Sequence, residues 1–216
     1  MTPDKEYSGR ARIRMYNCDN RTFMNQVDDN YYDLSISDPP YGLGSKLVDG
    51  GTWSVKWQDK GSEWDDLPEK STFENLFRVS KNWVVWGGNY FIEYLPNCRN
   101  FIAWHKPYMD GMHSMGNVEL ALTSFDCNAK KISFNKDKGN NERIHVTQKP
   151  VNLYRWVLKN YAEPNQKIFD GWGGSMSIAI ACWDLGFDLD ICELDKGYFD
   201  AAVNRFEGHI SQQVLF

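Results

Sequence analysis

The residues best suited to chemistry are Asp38-Pro39-Pro40-Tyr41, which follow the apolar-alternating run Tyr32-Asp33-Leu34-Ser35-Ile36. That run reads as a short strand. Two consecutive prolines end it, because neither donates a ladder hydrogen bond, and they hold the residues before them extended. The result is a stiff elbow at the carboxyl end of a strand, the edge at which open α/β sheets bind ligands. It carries a carboxylate, a proline carbonyl and an aromatic ring. The two oxygen groups together accept two hydrogen bonds, and the ring offers a stacking face. A planar heterocycle with an exocyclic amino group, such as adenine or cytosine, meets both. Its amino lone pair is delocalised into the ring and is a poor nucleophile. Two acceptors on its two N–H bonds favour a pyramidal nitrogen and aim the lone pair, which combines positioning with transition-state electrostatics. The plainer reading is an Asp-Pro-Pro turn with a buried Tyr, so the motif needs context.

A second set of residues supplies it. Lys167-Ile168-Phe169-Asp170 reads as a strand end, followed by Gly171-Trp172-Gly173-Gly174-Ser175 and an apolar helix from Met176 to Trp183 that Gly186 stops. Phe187 to Ile191 is the next strand, and Glu193 stands at its end. Strand, glycine turn, helix, strand and acid together form a cofactor-binding unit. Glycines let backbone approach a ligand, and an acid about twenty residues on takes two ribose hydroxyls. The unit suits NAD, FAD or S-adenosylmethionine. Its glycines do not follow G-x-G-x-x-G, which counts against the dinucleotides, and Asp170 and Glu193 beside the turn favour a sulfonium over a pyrophosphate.

These groups need a scaffold. Strands are expected at Arg12–Asn17, Trp83–Trp86, Phe101–Trp104 and Val118–Thr123, and helices through Phe73, Leu76 and Phe77 (with Pro68 in the first turn) and over Val151–Leu158 behind Pro150. Alternating strands and helices predict one α/β domain over residues 1–216, with a mostly parallel central sheet and helices on both faces. Asp19 or Asn20 suits a helix N-cap. Leu43 to Asp66, glycine- and lysine-rich without periodicity, reads as a flap over the substrate base, with Trp53 or Trp57 available to stack, or as a plain surface loop.

The net charge of −5 gives no global attraction to phosphate, so a nucleic-acid substrate requires a local basic patch. The best candidate is residues 126–145, with Lys130, Lys131, Lys136, Lys138 and Arg143. Nine Trp, eleven Tyr and twelve Phe suit both a packed core and stacking on bases. The five cysteines form no C-x-x-C pair and the four histidines are scattered, so no metal cluster is expected and reduced, cytoplasmic thiols are. No long apolar span is present, so no membrane partner is expected.

Asp38-Pro39-Pro40-Tyr41, the glycine turn and Thr147-Gln148-Lys149-Pro150 together resemble the amino-methyltransferases that act on DNA, in the β group, where the catalytic half precedes the cofactor half. The resemblance covers roughly residues 12 to 206. It implies a Rossmann-like methyltransferase fold with a late antiparallel strand, and a catalytic half over about 1–125. A short recognition-like segment over about 126–145 and a cofactor half over about 146–216 would follow. It implies methyl transfer from S-adenosylmethionine to adenine N6 in DNA, with Asp38 and the Pro39 carbonyl holding the amino group and Tyr41 stacking on a flipped base. The D-P-P-Y form goes with adenine in the family, whereas cytosine-N4 enzymes more often carry Ser in place of Asp38. Asp19 is implied to lie near the cofactor adenine. Thr147 and Lys149 are implied to lie near its methionine carboxylate, and Asp170, Gly171, Trp172, Gly173, Gly174, Ser175 and Glu193 around its pocket. The family's usual Asp-Pro-Phe-x-Gly-Ser-Gly-Thr is altered here: Gly171 replaces proline, Trp172 phenylalanine and Met176 the second glycine. Many relatives are dimers. Other readings are a cytosine-N4 enzyme, a silent nucleic-acid-binding homologue or partner subunit, an RNA or protein-amide methyltransferase, and a nicotinamide oxidoreductase. The last leaves Asp38 to Tyr41 unexplained.

Overall fold

A computed structural model describes residues 1–43, 65–110, 116–135, 143–145 and 147–213. In them the apolar alternation of the sequence becomes nine strands: β1 (Lys5–Ser8), β2 (Arg12–Asn17), β3 (Tyr32–Ser37), β4 (Ser80–Trp86), β5 (Phe101–His105), β6 (Val118–Thr123), β7 (Lys130–Ser133), β8 (Lys167–Asp170) and β9 (Asp188–Glu193). They form one open sheet in the order β1-β2-β9-β8-β3-β4-β6-β5-β7. The helices are α1 (Asn20–Met24), α2 (Lys70–Val79), α3 (Val151–Tyr161), α4 (Ser177–Leu185) and α5 (Lys196–Gln213).

Successive side chains on a strand face opposite sides, and both sides are apolar here. On one, Leu34, Ile36, Val84, Trp86, Ile168 and Ile191 pack under α3, α4 and α5. On the other, Trp83, Val85 and Phe169 pack with Phe23 of α1 and Phe73 and Leu76 of α2. This is the expected α/β fold with helices on both faces.

The strands β2, β9, β8, β3 and β4 run parallel to one another in that order, and β5 is parallel to β7. Strand β6 is antiparallel to both β4 and β5. The antiparallel strand therefore comes in mid-chain and not late. A second antiparallel pair, β1 with β2, closes the other end of the sheet. All the parallel strands end at one edge, which gathers Asn17, Glu193, Asp170, Ser37, Trp86 and His105. Strand β6 runs the other way, so it brings its beginning, Val118–Glu119, to that same edge.

Three local expectations change. The helix α2 starts at Lys70, so Pro68 precedes it and is not in its first turn. Residues 130–133, within the basic segment and not expected as a strand, are strand β7, held parallel to β5 with Ile132 opposite Trp104. The flap tryptophans Trp53 and Trp57 lie outside the described residues, as do Lys136 and Lys138. Among the described residues no helix is long and apolar enough to cross a membrane.

Candidate active site

The elbow after β3 is pinned from several sides. Asp65 accepts hydrogen bonds from the Tyr41 and Gly42 amides at 3.0 and 3.2 Å. The Tyr41 ring lies against Gly87, the first residue after β4, whose φ is +66°. A Cβ on Gly87 would come within 2.2 Å of the ring. Tyr90 stacks on Tyr41 at 4.9 Å and 16°, so one face of the expected stacking ring is covered by another tyrosine. The Tyr41 hydroxyl lies 2.7 Å from Asp38 Oδ1 and 2.9 Å from Glu119 Oε1, and its single proton serves both.

Around Asp38 the structure assembles a cluster of charges. Lys149 Nζ lies 2.5 Å from Asp38 Oδ2 and 2.7 Å from Glu119 Oε1. Lys106 Nζ lies 2.6 Å from Glu119 Oε2. Two ammonium groups thus balance two carboxylates. Burial pushes the Asp38 pKa up, and Lys149 only partly opposes it. Burial would raise Glu119 too, but Lys149 and Lys106 together hold it down to about 2. Lys149, expected beside a cofactor carboxylate, borders the cleft and is paired there with protein carboxylates. Its side chain is only 3% exposed, and a buried ammonium needs anions at contact distance. Asp38 and Glu119 supply them.

The residues expected around the cofactor, all but Asp170, line the same cleft as the elbow, a space of about 840 Å³ bordered by Asp19, Asp38, Thr147, Trp172, Gly174 and Glu193 among others. Gly174 has φ +50°, and a Cβ on Gly173 would meet the Cys192 carbonyl at 3.0 Å, so the turn requires both glycines. Glu193 accepts from the Gly174 amide at 2.6 Å and the Asp195 amide at 2.8 Å. Asp170 accepts from the Trp172 amide at 3.0 Å, and burial raises its pKa to about 8. Asp19 caps α1, accepting from the Arg21 amide at 2.7 Å, and pairs with the Arg21 side chain. Ser175 is buried, and the Gly171 carbonyl accepts from Asn20 at 2.9 Å. Met176 adopts the left-handed conformation (φ 51°, ψ 36°), which accounts for the glycine that relatives carry there. Its side chain is buried in the core under α4, so it does not narrow the cleft.

Of the five residues of the basic patch, Lys130, Lys131 and Arg143 are described. Lys130 opens β7, at the sheet edge opposite the elbow, because β7 runs parallel to β5 and ends near the cleft only at Ser133. Its Nζ bonds Asn160 at 3.0 Å and lies over the Trp156 and Tyr161 rings. Arg143 turns inward, donating to the His145 carbonyl at 3.1 Å, and burial lowers its pKa. Lys131 is exposed. Lys130→Ala is accordingly expected to change affinity for DNA by less than about twofold, well short of the effect of losing a phosphate contact. Filter binding at low salt checks this, and a flattened salt dependence would return Lys130 to the DNA face.

His145 also borders the cleft. Its Nδ1 accepts from the Thr147 amide at 3.3 Å, and Tyr198 packs edge-on at 4.3 Å. Burial, then Arg143 and Lys149, lower its pKa to about 3. The unfolded chain binds this proton near pH 6.5 and the folded chain does not. Stability from His145 is therefore present above about pH 6.5 and lost as pH falls toward 3, by about 1.4 kcal/mol per unit. Urea unfolding of wild type and His145→Gln at pH 7 and pH 5 should show wild type losing more on acidification. Equal losses would mean that the folded protein accommodates the charged ring.

The family model for N6/N4 DNA methylases matches residues 85–204, more than half of the chain, and the chain belongs to that family of DNA amino-methyltransferases. The match includes Glu119, Lys149, the glycine turn and Glu193, and begins after the elbow. Solved methyltransferases share the fold. The M1.HpyAVI–SAM complex aligns with a TM-score of 0.62 at 20% identity, over 89% of this chain and 98% of that one. The cytosine-N4-specific PvuII DNA methyltransferase aligns with a TM-score of 0.64 at 12% identity, over 92% and 90%. TTHA0409 from Thermus thermophilus, complexed with S-adenosyl-L-methionine, gives 0.61 at 15% identity, over 91% and 93%. A search of curated proteins found no match.

Glu119, Lys106, Asp65 and His145 are the site residues that the sequence reading missed. The signal for Glu119 was a charge inside the apolar run Val118–Thr123. For His145 it was proximity to Thr147-Gln148-Lys149-Pro150.

Proposed function

We propose that this chain transfers a methyl group from S-adenosylmethionine to an exocyclic amino nitrogen in DNA, adenine N6 in the first instance. The observation that carries the reading is that Asp38 and the glycine turn with Glu193 border one cleft. The residues present fit the cofactor. Gly173, Gly174 and Glu193, which stands at the end of the adjacent strand, all border the cleft, where a glycine turn and an acid suit the cofactor's backbone contacts and ribose hydroxyls. When bound, the cofactor supplies an electrophilic methyl group. The chain's own part is to grip the base. Asp38 and the Pro39 carbonyl accept the two amino N–H bonds, with Pro40 stiffening the elbow and Tyr41 holding the Asp38 carboxylate in place. Asp38, where cytosine-N4 relatives more often carry Ser, supports adenine. The likeness to a cytosine-N4-specific enzyme keeps cytosine as the second reading. DNA is the macromolecular partner, and a homodimer would supply a recognition surface that residues 126–145 are too short to provide.

The test is incubation with labelled cofactor and DNA followed by nucleoside analysis. N6-methyladenine is expected. N4-methylcytosine would keep the reaction and move the target, and no methylated nucleoside would leave a silent homologue. Glu193→Ala should raise the cofactor dissociation constant by about tenfold or more while the rate at saturation changes little. Its partners, ribose hydroxyls, are the same in ground and transition states. Calorimetry showing unchanged affinity would place the ribose elsewhere.

A further inference from the structure

Asp38 is already engaged on both oxygens, Oδ1 by the Tyr41 hydroxyl and Oδ2 by Lys149. Each oxygen keeps a second acceptor site, but an ammonium 2.5 Å from Oδ2 draws on its electron density and weakens it as an acceptor for a base amino group. That ammonium is almost fully buried and cannot step back into water, and leaving a carboxylate without another anion to receive it would be costly. Glu119 stands on the other side of it at 2.7 Å. Lys106, bonded to the second Glu119 oxygen, keeps this carboxylate ionised and in place.

We propose that Glu119 is a positioning residue for methyl transfer: it gives Lys149 a second seat, so that the ammonium releases Asp38 when a base amino group arrives. This rests on the function proposed above. Lys149 needs to shift only between two oxygens it already touches, and the cluster stays electrically neutral throughout. Without Glu119 the ammonium has one carboxylate and locks onto it. Without Lys149, Asp38 and Glu119 face each other with no ammonium between them, and a buried carboxylate pair tends to hold a proton that Asp38 must not carry.

The two single losses should therefore harm activity for opposite reasons and relieve each other when combined. Single-turnover rates are measured at saturating S-adenosylmethionine and duplex DNA for wild type, Glu119→Gln, Lys149→Gln and the double variant, with melting temperatures as a check on folding. Each single variant is expected to be slower than wild type by about tenfold or more, the scale of losing an electrostatic contact at the reacting group. The double variant is expected to be faster than either, and Glu119→Gln is expected to bind cofactor as wild type does. A double variant no faster than the faster single, or Glu119→Gln at wild-type rate, overturns the proposal. If Glu119→Gln does not fold, Glu119→Asp replaces it. It keeps the charge but draws it back from Lys149, so it should be slower than wild type with unchanged cofactor affinity, and a wild-type rate overturns the proposal. A wild-type protein that methylates no base in DNA refutes the proposed function itself, whereas an active wild type with the wrong pattern among the variants refutes only the role of Glu119.

Discussion

Asp38→Ala should abolish methyl transfer while the protein stays folded. Asp38 is one of two acceptors for the base amino group, and removing one comparable electrostatic group lowers rate by about 10²–10³ or more. The fold should survive because the neighbours of Asp38 keep partners. Lys149 retains Glu119 at 2.7 Å, and the Tyr41 hydroxyl retains Glu119 at 2.9 Å. Removal leaves two ammoniums against one carboxylate, so the melting temperature should fall even though the protein stays folded. Single-turnover measurement with labelled cofactor, beside a melting curve, checks both halves. Near-normal turnover would remove Asp38 from the chemistry.

Gly87→Ala should cost both stability and activity. Its φ of +66° is a conformation that a side chain disfavours by about 1–2 kcal/mol. The added Cβ would stand 2.2 Å from Tyr41 Cε1, and forcing a group into packed space typically costs about 1–3 kcal/mol more. The ring must move, and with it the hydroxyl that ties Asp38 to Glu119. The expected result is a melting temperature lower by several degrees, with methyl transfer slowed by at least about tenfold through the lost hydroxyl contact. Adding Tyr41→Ala should recover part of the stability and none of the activity. An unchanged melting temperature in Gly87→Ala would show that the ring is not wedged against residue 87.

Much of this molecule was legible in its residues. Strand β2 follows the alternation of Arg12–Asn17, and β6 that of Val118–Thr123, residue for residue. The proline pair marks the end of β3 after Ser37, and Gly171–Ser175 and Gly186 bracket α4. These features are local: period-two alternation, a missing amide donor and left-handed backbone each act within a few residues of chain. The chemistry that Asp38 and the glycine turn suggest also follows from their own types and from lying at strand ends.

Tertiary structure alone decided who meets whom at that edge. Glu119 is a lone charge in an apolar strand until β6 is seen to run antiparallel between β4 and β5, which carries its beginning to where the parallel strands finish. Lys149, far along the chain from Asp38, reads as an anion-binding lysine at a helix start. Only the folded sheet shows that it is sealed between two carboxylates. The same geometry takes Lys130 to the opposite edge, although its neighbours in sequence look like one basic patch. Strand direction and sheet order are set by long-range pairing, and no local pattern encodes them. Charges, whose energies depend on burial and on partners within a few ångströms, are therefore the residues whose roles the fold had to decide.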